Sequence, residues 1–246
     1  MCRVKNLRYV QLYNADFNLF HQFMFDKEAM TALTKNRFLP EEHFSQRDSI
    51  ADDAKLDKTL TVNLSRQARH PTVTAPVEAT QYYDKVNHVI LSLVRHALIG
   101  TLGPITGLLA CLQTMRFFQR TGFSDPVTFL DGGHLSKYLI ELGQGSRGTP
   151  LFRIQLSSVT VNVLISLDHG SMIINPLTRN IVHTVGYMFV DSTDLYCWEE
   201  SLKMGEALFT EIQEGTNAWR DLLITARGCL KPEQCFWYLL DYGCVI

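Results

Sequence analysis

The chain has 246 residues, 46% of them hydrophobic and 20% charged, an ordinary globular composition that suffices for one large domain or two small ones. A formal net charge of −2 and a pI near 6.4 leave no basic excess, so any nucleic-acid role must rest on local patches or on parts of a longer protein. Six cysteines without a C-x-x-C pair, eight scattered histidines and a start, MCRVKNLRYV, without an apolar signal core argue against a disulfide framework, a zinc site and secretion; the expectation is a reduced chain in the nucleus or cytoplasm.

In chain order, LRYVQLY (7–13) alternates as a strand does, and Asp16 caps an apolar, aromatic helix that runs through FNLFHQFMFDKEAMTALTK. Ile50, Ala54, Leu56, Leu60 and Leu64 fall near helical spacing and predict a second helix. Two prolines in RHPTVTAPVEA break it, and the Val-Thr-Val run there predicts a short strand ending near Glu78. Val86, Ile90, Leu93, Val94 and Ala97 mark another helix face, and Pro104 opens a further helix from a favoured first-turn position. ALIGTLGPITGLLACL (97–112) is the longest uncharged stretch and is too short to span a membrane.

Beyond Phe123 strands are expected: VTFL, then SKYLIEL after the hairpin-like Asp131-Gly132-Gly133. VTVNVLISL (159–167) is β-branched and alternates as a strand would. NIVHTVGYMFV and DLYCW read as two strands around Asp191-Ser192-Thr193-Asp194. Glu199 to about Ala226 reads as a long helix, and CFWYLLDY as a closing strand. With no internal repeat, segregated helices and hairpins indicate an α+β fold.

Three chemistries compete. GQGSRG (143–148) fits a dinucleotide fingerprint, with Asp168 about where a ribose-binding acid falls, and the strand-like 159–167 favours it; Pro150 and the absence of an upstream βαβ pattern count against it. A hydrolase elbow is absent, since glycine precedes Ser146 directly. The third joins distant segments. VEATQYYDKVNH places Glu78 at a strand end, MFVDSTDL places Asp191 at a hairpin, and CLKPEQCFWYLLDY places Lys231 in a turn before the last strand. Taken alone, 191–194 is equally an ordinary turn, because Asp, Ser and Thr side chains bond nearby backbone. Two carboxylates from separate strands can hold two divalent metals for in-line phosphoryl transfer, and magnesium suits an all-oxygen site.

In order and spacing these segments resemble the reverse transcriptase family, most closely retroelement enzymes of the non-LTR or group II kind, over nearly the whole chain. The resemblance implies a right-hand polymerase fold of fingers (1–72) and palm (73–246), with a helical insertion at about 86–135 and an antiparallel palm sheet flanked by helices. It implies RNA-templated DNA synthesis, a nucleotidyl transfer with an RNA template, a DNA primer and a deoxynucleoside triphosphate as partners, no membrane, and Mg2+ or Mn2+ as cofactor. LRYVQLYNADFN resembles the fingers segment whose arginine, here Arg8, meets the triphosphate. EATQYYDKVNH resembles the first palm motif, with Glu78 as metal ligand and Tyr83 at the sugar gate. GQGSRGTP resembles the motif in which Gln144 and Gly145 position template and nucleotide. FVDST resembles the metal hairpin, with Asp191 as direct ligand, and LKPEQC the motif with a lysine, Lys231, near the leaving pyrophosphate.

This chain departs from that pattern at chemical positions. Glu78 replaces an aspartate, adding one methylene at a metal that demands strict geometry, and a misplacement of about 1 Å costs on the order of a hundredfold in rate. Ser192 replaces the second hairpin aspartate, and Gln234 stands where related sequences carry a second lysine. On that resemblance the chain is expected to end after the last palm strand, without thumb, endonuclease or RNase H segments. The expectation is a degenerate, truncated and impaired copy. A non-catalytic nucleic-acid-binding remnant is the rival, and a nucleotide-cofactor enzyme the outside alternative. Asp194 is expected to serve the turn. Arg116, Arg120, Arg66 and Arg69 read first as solvated helix faces, His88 as a structural hydrogen-bonder, and CFWYLL as sheet core rather than a base-stacking platform.

Overall fold

The computed structural model describes residues 15–23, 30–35, 51–79, 87–99, 117–118, 129–130, 149–174, 178–189, 192–198 and 206–242. The expected strand at 7–13, the helix after Pro104, SKYLIEL, Arg116 and Arg120 lie outside them.

Two short helices, α1 (Ala15–Gln22) and α2 (Met30–Lys35), precede α3 (Ala51–Ala68). Strand β1 (Thr72–Glu78) follows, ending where the sequence places its end, and leads to α4 (His88–Ile99). A two-residue ladder joins β2 (Phe117–Phe118) to β3 (Phe129–Leu130), so VTFL finds its partner upstream of the expected hairpin. Helix α5 (Thr149–Ser166) precedes β4 (Ser171–Ile174) and β5 (Ile181–Thr184), which pair with each other. Then come β6 (Gly186–Phe189), β7 (Ser192–Trp198), α6 (Glu206–Thr225) and β8 (Tyr238–Leu240).

Among the described residues the main sheet has the order β6-β7-β1-β8, antiparallel throughout. Strand alternation gives it two faces of different character. Val73, Ala75 and Val77 of β1, with Leu195 and Cys197 of β7, face α5 and α6 and form the apolar core. Helix α6 meets them with a stripe at helical spacing, Leu208, Ile212, Gly215, Trp219 and Leu223, all buried. The opposite face carries Thr72, Thr74, Tyr196 and Asp194, and α3 lies over it.

Helix α3 forms where the sequence places it, but the leucines that mark its spacing are not its packed face: Leu56 is 60% and Leu60 51% exposed. Lys58, Thr61 and Ser65, on another face, turn to the sheet instead. There Lys58 Nζ meets Asp194 Oδ2 at 2.7 Å, and Tyr187 Oη donates to Thr61 Oγ1. Polar complementarity with a hydroxyl-bearing sheet outweighs the burial of two leucines.

Helix α5 corrects a reading of the sequence. The β-branched run at 159–167 is helical to Ser166, which removes the feature that favoured a dinucleotide fold. Its polar side chains find partners within the helix: Ser158, Thr160 and Asn162 donate to the carbonyls four residues earlier at 2.7, 2.9 and 2.8 Å. Residues 154–158 are all buried, so tertiary burial overrides strand propensity.

NIVHTVGYMFV is likewise two strands. It breaks at Val185, and the first half pairs with β4, a strand the sequence reading missed. Gly170 makes that hairpin possible: its φ is +98°, and a Cβ there would lie 2.3 Å from the Thr184 carbonyl oxygen.

Three helices end alike, with a non-glycine residue in left-handed conformation: Arg69 after α3, Asp168 after α5 and Arg227 after α6. In each, the next amide reaches back to close the helix end, as His70 N does to Ser65 O at 2.9 Å and Gly228 N to Leu223 O at 2.8 Å. The first of these turns delivers the chain into β1, and the last delivers it toward Lys231.

Candidate metal and nucleotidyl-transfer site

The three motifs that are distant in sequence meet at one end of the main sheet. Glu78, the last residue of β1, is the register partner of Ser192, the first residue of β7. On its other side, Lys231 N donates to Glu78 O at 2.9 Å, and Ala79 bridges to Leu230. A half-buried carboxylate, an exposed hydroxyl and a half-buried lysine therefore belong to three adjacent strands or turns.

Local chemistry explains the arrangement. Pro76 has no amide hydrogen, and its carbonyl accepts from Phe236 N at 3.3 Å, so that pair has one bond where a ladder has two. The regular β1–β8 pairing stops at Thr74↔Tyr238. Between Phe236 and Lys231 the chain makes one 3-10 turn, Pro232–Gln234, closed by Gln234 N to Lys231 O at 2.8 Å. Cys235 Sγ lies 3.3 Å from Lys231 O and 3.9 Å from Glu78 O, tightening the same turn.

Asp191, Arg8, Tyr83, Gln144 and Gly145 lie outside the described residues. Phe189 and Ser192 are paired, so residues 190 and 191 alone connect β6 to β7, and Asp191 is the chain neighbour of the residue opposite Glu78. Among the described residues no group of three His, Cys, Asp or Glu gathers in metal-binding proximity. The donor chemistry at this sheet end suits a hard cation in kind, a carboxylate facing a hydroxyl, while the described part supplies one negative charge.

Asp194 is a correction: it sits within β7 and serves no turn. Two residues past Ser192, it shares the face of Glu78 and is paired with Lys58, both side chains about 30% accessible or slightly less. Burial alone would lower the Lys58 pKa, but the hydrogen bond and charge of Asp194, with smaller help from Tyr238, leave it raised above 10.5. Tyr196, on the same face, has its pKa pushed up by burial to about 12, against the opposing pull of the Thr72 and Ser65 hydroxyls. Sequence reasoning missed this seam. Its signal was there in the spacing of Lys58, Thr61 and Ser65 and in the alternation of Ser192, Asp194 and Tyr196.

CFWYLL is also corrected. Phe236 is 61% and Trp237 52% exposed, and only Tyr238–Leu240 forms a strand. Trp237 leans on Phe209 of α6, ring centroids 4.6 Å apart, and Phe236 lies beside Tyr238. Arg66 and Arg69 are exposed as read, and His88 is buried. His70 packs edge-on against Trp198 at 5.2 Å.

Comparison with known proteins places this sheet and its helices. No family model matches the chain, and no curated protein matches it in sequence. Solved structures similar to it include telomerase from Candida tropicalis in complex with a TWJ fragment of telomeric RNA, at TM-score 0.61, 10% identity and 93% coverage of this chain. Apo telomerase from Candida tropicalis, truncated from its C-terminal domain, matches at TM-score 0.55, 11% identity and 95% coverage. The chain spans 35% and 45% of those proteins' lengths. At such identity the likeness shows the fold alone: an antiparallel sheet with helices, arranged as in part of those telomerase structures. No helix among the described residues is long and apolar enough to cross a membrane.

Proposed function

We propose that the chain is a reverse-transcriptase palm with adjoining fingers elements, of the retroelement kind, whose nucleotidyl-transfer centre is impaired. One observation carries the reading: Glu78 opposite Ser192, with Lys231 on the Glu78 carbonyl, brings three separate motifs to a single sheet end. The boundaries at 72 and 73, the fingers role of Arg8, the sugar gate at Tyr83 and the template role of Gln144 and Gly145 belong to the same proposal.

Glu78 and Asp191 would hold magnesium or manganese, which when bound supplies activation of the attacking hydroxyl and stabilisation of the leaving pyrophosphate. The chain's own groups act around that. Lys231, whose amide is bonded to the Glu78 carbonyl, would supply the proton to a leaving phosphate oxygen. Ser192 offers a neutral oxygen where the family has a second carboxylate, so the repulsion between paired cations is less well offset. Glu78 is one methylene longer than aspartate while its backbone is held on both sides by neighbouring strands and turns, so the extra length must displace the carboxylate. Phe236, exposed beside this sheet end, offers a ring face to a nucleic-acid base, and such stacking contributes about 1–3 kcal/mol per base.

A primer-extension assay with an RNA template, run with magnesium and with manganese, tests this. The expected result is no processive synthesis by the purified chain together with measurable binding of primer–template. Processive, template-dependent synthesis would overturn the impairment. Absence of both synthesis and binding would overturn the polymerase-type reading itself.

A further inference from the structure

On the apolar side of the sheet, directly behind Glu78 and Ser192, the helices leave space. A cavity of about 110 Å3 lies between α4, α5, α6 and the ends of β1 and β7. Its floor is Val77 and Thr193, the register pair next to Glu78↔Ser192. Its walls include Val94 of α4, Leu156 of α5, and Trp219 and Leu223 of α6. Among the described residues that line it, none is charged. Two of its hydroxyl groups are already satisfied in their own helices: Thr160 donates to Leu156 O and Thr225 to Asp221 O, each at 2.9 Å.

We propose that this cavity binds a small, uncharged apolar molecule the size of a single aromatic ring. The described lining is mostly apolar, with four hydroxyl groups of which two are engaged within their own helices, whereas a resident water needs two to four polar partners. Apolar cavities of roughly 150 Å3 in other proteins stay dry and accept benzene or xenon, and this volume is of the same order. The empty space leaves its lining atoms without dispersion partners on one side, and a ligand restores them. A bound ring would press on Val77 and Thr193 and so stiffen the sheet end that carries Glu78. The proposal stands on the cavity alone and does not depend on any polymerase activity.

The test is ligand-observed NMR titration of the full chain with benzene, with benzoate as a charged comparator of similar shape. Saturable benzene binding, absent for benzoate, is expected. Val94→Phe and Ala226→Leu, both at residues that line the cavity, reduce its space, and each should abolish benzene binding while circular dichroism and melting temperature are retained. Chemical-shift titration of the unmutated chain with xenon gives a reading that needs no variant. No saturable benzene or xenon binding by the folded wild type would overturn the proposal, as would undiminished binding by a folded, cavity-filled variant.

Discussion

The two faces of the main sheet are built from alternate residues of the same strands and do opposite work. Toward α5 and α6, Val73, Ala75, Val77, Leu195 and Cys197 form a dry apolar layer. Toward α3, the alternate residues of the same strands are hydroxyls, a carboxylate and a tyrosine tied to a lysine helix face. The apolar layer is non-directional, and any well-packed hydrophobic set of the right volume would serve it. The other layer depends on pairings. Glu78 and Ser192, where chemistry is proposed, lie on that second face, so the sheet separates the residues that hold the fold from those exposed to functional change.

This separation can be attacked in order of expected effect. Leu195→Ala cuts into the apolar layer and should destabilise by about 2–5 kcal/mol, read as a lower urea midpoint at unchanged slope. A loss below about 1 kcal/mol would mean that the apolar layer is not the dominant one.

On the other face, Tyr196 gives a pH signature. Its folded pKa of about 12 lies above the ordinary 10.0, so its contribution is complete below pH 10 and is lost as pH rises through 12. A shift of that size corresponds to roughly 2–3 kcal/mol, and Tyr196→Phe should flatten the alkaline fall in stability by that order. Lys58 is raised too, so its contribution is present below pH 10.5 and fades above it. Its pair with Asp194 is partly solvated, and Lys58→Met should cost about 1 kcal/mol at neutral pH, a cost that shrinks as pH rises past 10.5.

The smallest expected change is the most informative about function. Glu78→Asp with Ser192→Asp places two carboxylates directly opposite, which should cost about 0.2–1 kcal/mol in chelator. Magnesium should reverse that loss and bind more tightly by calorimetry than to the wild type. A melting temperature indifferent to magnesium in the double variant would count against Glu78 as a metal ligand.

The sequence made some of this plain and concealed the rest for identifiable reasons. The end of β1 at Glu78 was legible because prolines and a β-branched run bound it, and α6 was legible because its stripe meets an apolar layer. Helix α3 was legible from its leucines at helical spacing, but those leucines outshone the polar face that packs. Helix α5 misled because Val159, Val161 and Val163 alternate as strand residues do, while only the folded state shows its hydroxyls bonding back along the helix. The placing of Lys231 against Glu78 depends on a three-residue turn and on a missing amide hydrogen at Pro76, and periodicity carries neither. Asp194 looked like part of a turn because β7 begins at Ser192, already inside the polar run.

The outer strands of the main sheet have a consequence for the molecule's life in solution. Strand β6 has four residues and β8 three, and Pro76 cuts the pairing of β8 short. A sheet invites other chains to add to it through long, flat borders of unpaired amides and carbonyls. These borders are short and offer another chain little template to pair with.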